Sequence, residues 1–383
     1  MFSTPTKRNT WLDVDLAQLG RNFLIIKKEA AVPVLVVVKA NAYGHGLVEC
    51  ARILAASGAR MFGVATVCEA MALRDAGITT DILRITAYGP DEVLDMVASD
   101  IQFFCWEDEH LRLANEAAGQ LGKVAQLHLQ IDTGMGREGL FADQALDFAR
   151  RAQTYDHIEL VGITSHFYLA DSEDTSSVNH QYENFMKAMS ALEREGLRPP
   201  IAHLANSPGL LRFPRARLDM VRSGVITYGL PYEEGFPLPE GIRPIATWKA
   251  RIVSVKTLPP GHVVSYGGQY VTSGFETIAI LPVGYADGLH RFPMNVNHVL
   301  FQGRRVATVG RICMDQAMIR VPEDLRASVG DEVVIIGRQG ESEIDSLDVA
   351  KRWGTNNYDV LCNVSPRVPR IFSDTPLTAG TNL

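Results

Sequence analysis

Short apolar stretches alternate with amphipathic stretches from about residue 30 to residue 230. The apolar stretches are rich in β-branched residues, which favours buried strands. Most of the segments between them place apolar residues three and four positions apart and often end at glycine, which is typical of helices with one buried face. The eight predicted strands are VPVLVVVK, MFGVATV, DILRITAY, IQFFCW, VAQLHLQID, ELVGITSHF, IAHLANS and LDMVRSGVITYG.

This alternation predicts an α/β fold. Strands that are apolar on both faces and separated by helices are typical of a parallel sheet covered on both sides. Eight such units within about 200 residues fit an N-terminal (β/α)8 barrel of the TIM type. A doubly wound open sheet is the competing architecture, and periodicity alone does not separate the two.

The pattern changes after about residue 240. Strand-like segments such as ETIAILPVGYADG and DEVVIIGRQG are separated by Pro and Gly turns, with one clear helix, IDSLDVAKRWG, between them. This texture predicts a mostly-β second domain. The chain is therefore expected to contain a barrel domain over residues 1–240 and a C-terminal mostly-β domain over residues 241–383.

Composition narrows the class of protein. With 383 residues, of which 46% are hydrophobic, the chain is long enough for two cores. A net charge of −7 and no basic stripe argue against a nucleic-acid partner. No stretch of about 18 apolar residues and no signal-peptide pattern are found, so no membrane partner is expected. The five scattered cysteines predict neither disulfides nor a metal site and indicate a cytoplasmic location.

Polar residues follow the apolar runs at the ends of several predicted strands. In a parallel barrel these ends meet at one opening, where the following loops form the functional face. The sequence thus predicts a single site from residues that are far apart along the chain. The residues at these ends are Lys39, Asp132 of DTGMGR, His166, Asn206, Ser207, Arg222 and Gly224.

Each of these residues also has an ordinary structural interpretation. A lysine such as Lys39 at a strand end usually extends its amine to water. His166 taken alone is more typical of a histidine at a barrel rim than of a catalyst. Asn206 or Ser207 is a suitable helix cap, and Arg222 can pair with a carboxylate. Their joint position at one opening is what favours a functional site.

The residue types point to carbonyl chemistry. A lysine whose pKa is lowered by burial and by positive neighbours has a free amine that can attack a carbonyl group. Tyr43, Asn206, Ser207 and Gly224 provide hydroxyl, amide and backbone donors for a phosphate, and late barrel strands commonly form such sites. A lysine beside a phosphate site predicts a pyridoxal 5′-phosphate enzyme or a phosphosugar aldolase.

Longer motifs carry a resemblance to a known family. They run from about residue 11 to residue 370 and resemble the signature segments of bacterial alanine racemases. The resemblance implies a pyridoxal-phosphate isomerase with a barrel, a C-terminal β domain and a head-to-tail homodimer, which supplies D-alanine for cell-wall peptidoglycan. The motifs are VVVKANAYGHG, HLQIDTGMGREG, SHF, HLANSPGLLRFP, DMVRSGVITYGL, VSYGGQY, PVGYADG, GRICMDQ and NYDVLCNVSPRVPR.

The resemblance assigns two bases. Lys39 corresponds to the lysine that holds the cofactor as an internal aldimine and then acts on one face of the substrate Cα. Tyr266, in VSYGG, resembles the base on the opposite face and is contributed by the partner subunit. Racemisation needs proton transfer on both faces, and a tyrosine with an ordinary pKa of about 10 needs assistance to act as a base. The resemblance assigns that assistance to His166, near Arg222.

The resemblance also assigns the binding residues. Arg222 matches the residue that faces the pyridine nitrogen, where an arginine leaves the cofactor a weaker electron sink. Arg137 matches the contact to the phenolic oxygen and the substrate carboxylate, and Met314 matches a partner-chain backbone contact to that carboxylate. The residues that resemble the phosphate site are Tyr43, Ser207, Gly224, Val225 and Tyr358.

Three departures from the family pattern affect the substrate site. Gln130 stands where many members have a carboxylated lysine that orients the arginine, so Arg137 is expected to be positioned by the Gln130 amide or by an anion. Residues 167–169 replace a run of small residues. Asn356 replaces an isoleucine of the entry corridor, which keeps serine open as an alternative substrate. His45 has no assigned role.

Other functions remain as alternatives. A cofactor-homeostasis protein would resemble the barrel alone, and the second domain with Tyr266 and Met314 argues against it. A decarboxylase with a barrel and a β domain would not require a tyrosine opposite Lys39. A Schiff-base aldolase without cofactor is the most distant alternative.

Overall fold

The structure, a computed structural model, describes residues 8–293 and 297–373. The outer ends of the two predicted domains, residues 1–7 and 374–383, lie outside the described residues. The strands and helices below are numbered in chain order.

Eight parallel strands form the N-terminal sheet, in the spatial order β8-β7-β6-β5-β4-β3-β2-β9. Each of the eight apolar runs singled out in the sequence contains one of these strands. The strands are β2 Val34–Val37, β3 Met61–Val64, β4 Asp81–Arg84, β5 Ile101–Cys105, β6 Ala125–Gln130, β7 Ile158–Thr164, β8 Ile201–His203 and β9 Val221–Ser223.

The sheet curls until its first and last strands approach each other. Between β8 and β9 the contact consists of backbone bonds, from Asp219 N–H to Ala202 O at 3.0 Å and from Arg222 N–H to Ala205 O at 2.9 Å. These bonds nearly close the barrel. The predicted TIM-type barrel is therefore confirmed, and the open doubly wound sheet is not observed.

Helices cover the outside of the barrel and bury an apolar face against the strands. Three-residue to four-residue 3₁₀ turns lie at 90–92, 142–144, 214–216, 225–228, 266–268 and 285–287. The helices are α1 Leu16–Ala30, α2 Lys39–Tyr43, α3 Leu47–Ala56, α4 Val67–Asp75, α5 Val93–Ala98, α6 Asp108–Leu121, α7 Ala145–Ala152, α8 Ser176–Arg194, α9 Ser207–Arg212, α10 Ser346–Trp353 and α11 Asn357–Cys362.

The C-terminal part of the chain is mostly β, as predicted. It contains a seven-stranded sheet, a three-stranded sheet and a two-stranded ribbon. The strands are β10 Ala246–Arg251, β11 Ser254–Leu258, β12 Val263–Val264, β13 Tyr270–Val271, β14 Glu276–Leu281, β15 His298–Phe301, β16 Arg304–Ala307, β17 Ala317–Val321, β18 Glu332–Gln339, β19 Ser342–Ile344 and β20 Arg370–Phe372.

One strand of the N-terminal segment belongs to the sheet of the second domain. The first strand, β1 Thr10–Val14, pairs with β10 and β20 in the seven-stranded sheet and has no place in the barrel. The N-terminal segment therefore crosses to the second domain because its backbone completes that sheet. The boundary near residue 240 stays a prediction.

No helix in the described ranges is long and apolar enough to cross a membrane.

Candidate active site

A cavity of about 270 Å³ opens at the carboxyl ends of the barrel strands. It brings together residues from both halves of the chain, because Tyr358 and Cys362 of α11 close one side of it. The site residues predicted from sequence that line this cavity are Lys39, Tyr43, Arg137, His166, Asn206, Ser207, Arg222, Gly224, Val225 and Tyr358.

Lys39 begins an unusual stretch of backbone. The next four residues, Ala40 to Tyr43, have φ between 53° and 57°, so the chain makes a left-handed helical turn without glycine. Such a conformation costs roughly 1–2 kcal/mol per residue for ordinary L-amino acids. The surrounding structure must therefore hold this turn in place, and with it the position of Lys39.

Three side chains hold the turn. The carboxylate of Glu69 accepts from the Ala40 N–H at 2.6 Å and also from the Ala65 N–H at 2.8 Å. Asn41 Oδ1 accepts from the Leu47 N–H at 2.8 Å. His45 Nδ1, 2.8 Å from the carbonyl oxygen of Ala42, donates to it. The role left unassigned for His45 is thus structural.

The surroundings of Lys39 favour a neutral amine. Burial, and after it the positive charge of Arg137, lower the pKa of Lys39, while the Glu69 carboxylate acts in the opposite direction. A lowered pKa increases the fraction of free amine near neutral pH. This is the electrostatic state that the sequence predicted for a nucleophilic lysine.

Arg222 is buried and almost fully bonded. One terminal nitrogen lies within hydrogen-bond distance of Thr164 Oγ1 at 2.8 Å and of His203, at 2.9 Å from Nδ1 and 2.7 Å from O. The other donates to Ser165 O at 2.5 Å and Leu204 O at 3.0 Å and lies 3.3 Å from His166 Nδ1. Burial lowers the pKa of Arg222 to about 9, which leaves it charged near neutral pH. Its Nε has no partner among the described residues and remains the available donor.

The bonds to Arg222 fix the protons on two further histidines. Because a guanidinium only donates, His203 Nδ1 must accept, and the proton of His203 is on Nε2. That N–H meets His128 Nδ1 at 2.8 Å, so His128 in turn donates from Nε2 to Gln102 Oε1 at 2.8 Å. Gln102 then donates to Gln126 at 3.0 Å, near the amino ends of the strands. A directed chain of hydrogen bonds thus crosses the barrel interior.

A candidate anion site lies at the carboxyl ends of β2, β8 and β9. The Gly224 N–H donates to Ser207 Oγ at 2.8 Å, which leaves the Ser207 proton free to donate elsewhere. A Cβ at position 224 would lie 2.8 Å from Tyr43 Oη, so glycine keeps this space open. Burial raises the pKa of Tyr43, which therefore keeps its proton as a donor. Two hydroxyl groups thus face a space that a small anion can occupy.

Two asparagines act as helix caps. Asn206 accepts from the Gly209 N–H at 3.1 Å and donates to Phe167 O at 3.1 Å, so both ends of its side chain are used in the fold. Asn356 accepts from the Asp359 N–H at 2.8 Å and begins α11. The capping interpretation of Asn206 is therefore confirmed, although the residue lines the cavity. The side-chain amide oxygen of Asn356 is likewise used to cap its helix, α11.

The cavity wall is strongly cationic. Its positive charge comes from Arg137 and Arg222, which lie beside Lys39, and no described residue that lines it carries a carboxylate. Because the positive groups stand at separate points of the wall, the cavity favours a ligand that carries anionic groups. Arg137 pairs with Glu138, at 3.8 Å between Nε and Oε2, just outside the cavity.

Tyr266 and Met314 do not line the cavity of their own chain. Both lie in the second domain and are exposed, Tyr266 at 68% and Met314 at 53%. Asp132 also does not line the cavity. It accepts from the backbone of Gly134 and Gly136 and shapes the DTGMGR loop.

Several supporting residues were missed in the sequence. The pattern Thr66-x-x-Glu69 signals a helix start, and both capping bonds are present, but nothing local shows that Glu69 also reaches Ala40. His128 and His203 carried a weak signal, since each is a histidine within an apolar strand.

The fold and the cavity define a barrel enzyme in which a lysine of lowered pKa and two hydroxyl groups line one cavity. The alanine racemase N-terminal domain family matches residues 14–231, and the alanine racemase C-terminal domain family matches residues 245–372. The chain therefore belongs to the alanine racemase family. The family resemblance seen in the sequence is confirmed, and so is the prediction of an isomerase.

Relatives and solved structures agree over nearly the whole length. An alanine racemase from Symbiobacterium thermophilum is 41% identical over 366 residues, covering 95% of this chain and 97% of that protein. The structure of alanine racemase from Clostridium difficile 630 superimposes with a TM-score of 0.91 at 34% identity, covering 97% of each chain. Alanine racemase from Bacillus anthracis with bound L-Ala-P gives a TM-score of 0.91 at 35% identity, covering 97% of this chain and 96% of that one.

Proposed function

We propose that this protein interconverts L-alanine and D-alanine, with pyridoxal 5′-phosphate bound at Lys39 and a second copy of the chain completing the site. The observation that carries the proposal is the cationic cavity, in which a lysine of lowered pKa, an anion site and a fixed arginine donor meet. Family membership supports alanine over the alternative substrates and reactions.

The residues present fit this cofactor. The Lys39 amine suits its aldehyde. Ser207 and Tyr43 offer hydroxyl donors for its phosphate beside Gly224, where a Cβ would fill the space. Arg222 Nε offers a donor for its ring nitrogen. When bound, pyridoxal phosphate supplies the electron withdrawal that makes the Cα proton of an amino acid removable.

Arg222 would determine whether the ring nitrogen of the cofactor is protonated. It keeps its proton near neutral pH and would therefore donate a hydrogen bond to the cofactor's ring nitrogen without giving up that proton. The bonds to Thr164 and His203 hold it in this position. A donor of this kind limits charge delocalisation and disfavours side reactions such as transamination.

Proton transfer requires a group on each face of the substrate. Lys39 acts on one face, and the partner's Tyr266 acts on the other. His166 supports the tyrosine, because its Nδ1 faces Arg222 at 3.3 Å and so leaves the Nε2 proton to donate to the phenolic oxygen. Burial and the charges of Arg222 and Arg137 hold the pKa of His166 well below its usual range, so the imidazole is neutral. A donated hydrogen bond stabilises the deprotonated tyrosine as a base.

Arg137 and the partner's Met314 hold the substrate. The guanidinium of Arg137 suits the substrate carboxylate, and the Met314 backbone of the second chain adds a further contact. The exposure of Tyr266 and Met314 in a single chain supports a head-to-tail homodimer with shared sites, since each cavity lacks these two residues. We also propose a cytoplasmic location and a role in supplying D-alanine for peptidoglycan.

The first test concerns the cofactor. The purified wild-type protein is expected to be yellow, and Lys39→Ala is expected to remove the visible absorbance, since the amine that binds the aldehyde is gone. A colourless wild type that gains no absorbance when pyridoxal phosphate is added would contradict the proposal.

The substrate is tested with a panel of L-amino acids assayed by chiral chromatography. Alanine should be racemised fastest. Faster turnover of serine would contradict the assignment of alanine as the substrate.

The second test separates the two bases. Tyr266→Phe is expected to retain the cofactor and to lose racemisation, because one face then has no base. Exchange of the Cα proton with solvent deuterium, followed by NMR, should survive mainly from the enantiomer whose proton faces Lys39. Equal loss of exchange from both enantiomers would show that the assignment of the two faces is wrong.

A further inference from the structure

Arg137 is the one cavity cation with a carboxylate within ion-pair distance in the described part of the chain. Its Nε lies 3.8 Å from Glu138 Oε2, whereas Lys39 and Arg222 have no such partner there. The side chain of Glu138 is 10% exposed and that of Arg137 is 47% exposed. A buried carboxylate therefore lies behind an arginine that extends toward the cavity.

The two oxygens of Glu138 have different surroundings. Oε1 accepts from the Ala87 N–H at 2.8 Å, which anchors the side chain to the loop after β4. Oε2 is buried and has no hydrogen-bond partner among the described residues. An ionised oxygen that is buried without a hydrogen bond is costly, so its position requires a nearby cation. Arg137 is the cation within ion-pair distance, and the Lys39 amine also interacts electrostatically with this carboxylate.

The loop that carries both residues is tightly held. Asp132 accepts from Gly134 and Gly136, and the backbone of Leu140 bonds to Gln130 O at 3.1 Å. A Cβ at Gly139 would lie 2.7 Å from the Asp132 nitrogen, so this position must be glycine. The backbone next to Glu138 is thus held in place, and one oxygen of its carboxylate is anchored beside the half-exposed Arg137.

The neutral residue opposite does not replace this charge. Gln130 lines the cavity and is 4% exposed, and its side-chain amide forms no hydrogen bond to Arg137 in the described ranges. The cavity wall itself holds no carboxylate. Glu138 is therefore the residue from which Arg137 can receive a compensating negative charge.

We propose that Glu138 is the positioning residue for Arg137: its carboxylate holds the guanidinium so that the terminal nitrogens meet the carboxylate of the amino-acid substrate. This inference rests on the proposed function. In this chain the negative charge that orients Arg137 would come from Glu138, the next residue in sequence, because position 130 holds the neutral Gln130.

The test compares Glu138→Gln with wild-type holoenzyme. Glutamine keeps an oxygen that can accept from Ala87 and removes only the charge. We expect KM for alanine to rise about threefold to tenfold with a smaller change in kcat, since a partly exposed ion pair contributes modestly. Glu138→Asp keeps the charge at a shorter reach and should give an intermediate KM.

Two alanine fragments provide a readout independent of turnover. Propionate is alanine without its amine, and ethylamine is alanine without its carboxylate. If Glu138 acts through Arg137, Glu138→Gln weakens binding of propionate by a clearly larger factor than binding of ethylamine, measured by absorbance titration of the holoenzyme. Equal weakening of both fragments, or of neither, would overturn the proposal.

A matched control and a double variant complete the design. Asp219 also accepts from a backbone N–H, that of Ala202 at 2.8 Å, and pairs with Arg198 at the amino end of β9, away from the cavity. Asp219→Asn should therefore leave KM unchanged. In an Arg137→Ala background Glu138→Gln should have no further effect, and a full additive effect would refute the coupling. Absence of racemisation in the wild type would instead refute the proposed function.

Discussion

The hydrogen-bond chain behind Arg222 makes a specific prediction about acid stability. His128 is fully buried, accepts from His203 and donates to Gln102, so its position has no place for a second ring proton without loss of a bond. Burial, followed by the charge of Arg222, lowers the pKa of His128 to about 3. The unfolded chain binds a proton at this residue with an ordinary pKa of about 6.5.

The sign of the effect follows from this difference. Below pH 6.5 the unfolded chain binds more protons than the folded one, so His128 lowers stability as the pH falls toward its folded pKa. Between pH 7 and pH 5 the loss from this residue alone works out at about 2 kcal/mol. Most carboxylates titrate below this window and contribute little to it.

The variant His128→Asn tests this quantity directly. Asparagine retains an oxygen that can accept from His203 and removes the titrating ring, and the lost bond to Gln102 costs roughly 1–3 kcal/mol at both pH values. Urea unfolding at pH 7 and pH 5, at one fixed protein concentration, gives the pH-dependent loss of stability for each protein. The loss should be about 2 kcal/mol smaller in the variant. An equal loss in the two proteins would refute the neutral, buried histidine chain.

Two further predictions concern the anion site and the left-handed turn. Gly224→Ala places a Cβ 2.8 Å from Tyr43 Oη and should weaken cofactor binding at least about tenfold in an absorbance titration of the apoenzyme. An unchanged affinity would show that the cofactor phosphate does not bind between Tyr43, Ser207 and Gly224. Glu69→Gln removes the charge that accepts from Ala40 and Ala65, and should lower the free energy of unfolding by about 1–3 kcal/mol. Glu69 also raises the pKa of Lys39, so the pH below which the apoenzyme stops binding the cofactor should be lower in this variant. A higher pH would contradict the predicted direction of the Glu69 effect on the Lys39 pKa.

The chain of bonds and the left-handed turn serve the same end. Lys39 sits at the start of a backbone segment that is unfavourable on its own, and Arg222 is held by buried polar groups inside the barrel. Each arrangement costs free energy and persists because the surrounding structure determines it. Both place a reactive group at a fixed point of the cavity, which is what proton transfer at a single carbon atom requires.

The sequence determined the elements of the fold and the place of the chemistry. The eight apolar runs became the eight barrel strands, because side-chain periodicity and burial are local properties of a strand. Lys39, His166, Ser207 and Arg222 could be assigned to one face, since parallel strands bring their carboxyl ends together in any barrel. Only the long motifs, through their family resemblance, pointed to Tyr266 and Met314, whose partner-chain roles remain predictions.

The tertiary structure decided what no local pattern encodes. The left-handed turn after Lys39 is built from ordinary residues and depends on Glu69, which is far away along the chain. The bond from Arg222 to His203 and the bond from His203 to His128 depend on the register of three strands. The placement of β1 in the second sheet likewise depends on strands near the other end of the chain. These features arise from contacts between distant segments, and such contacts exist only once the barrel and the second domain have assembled.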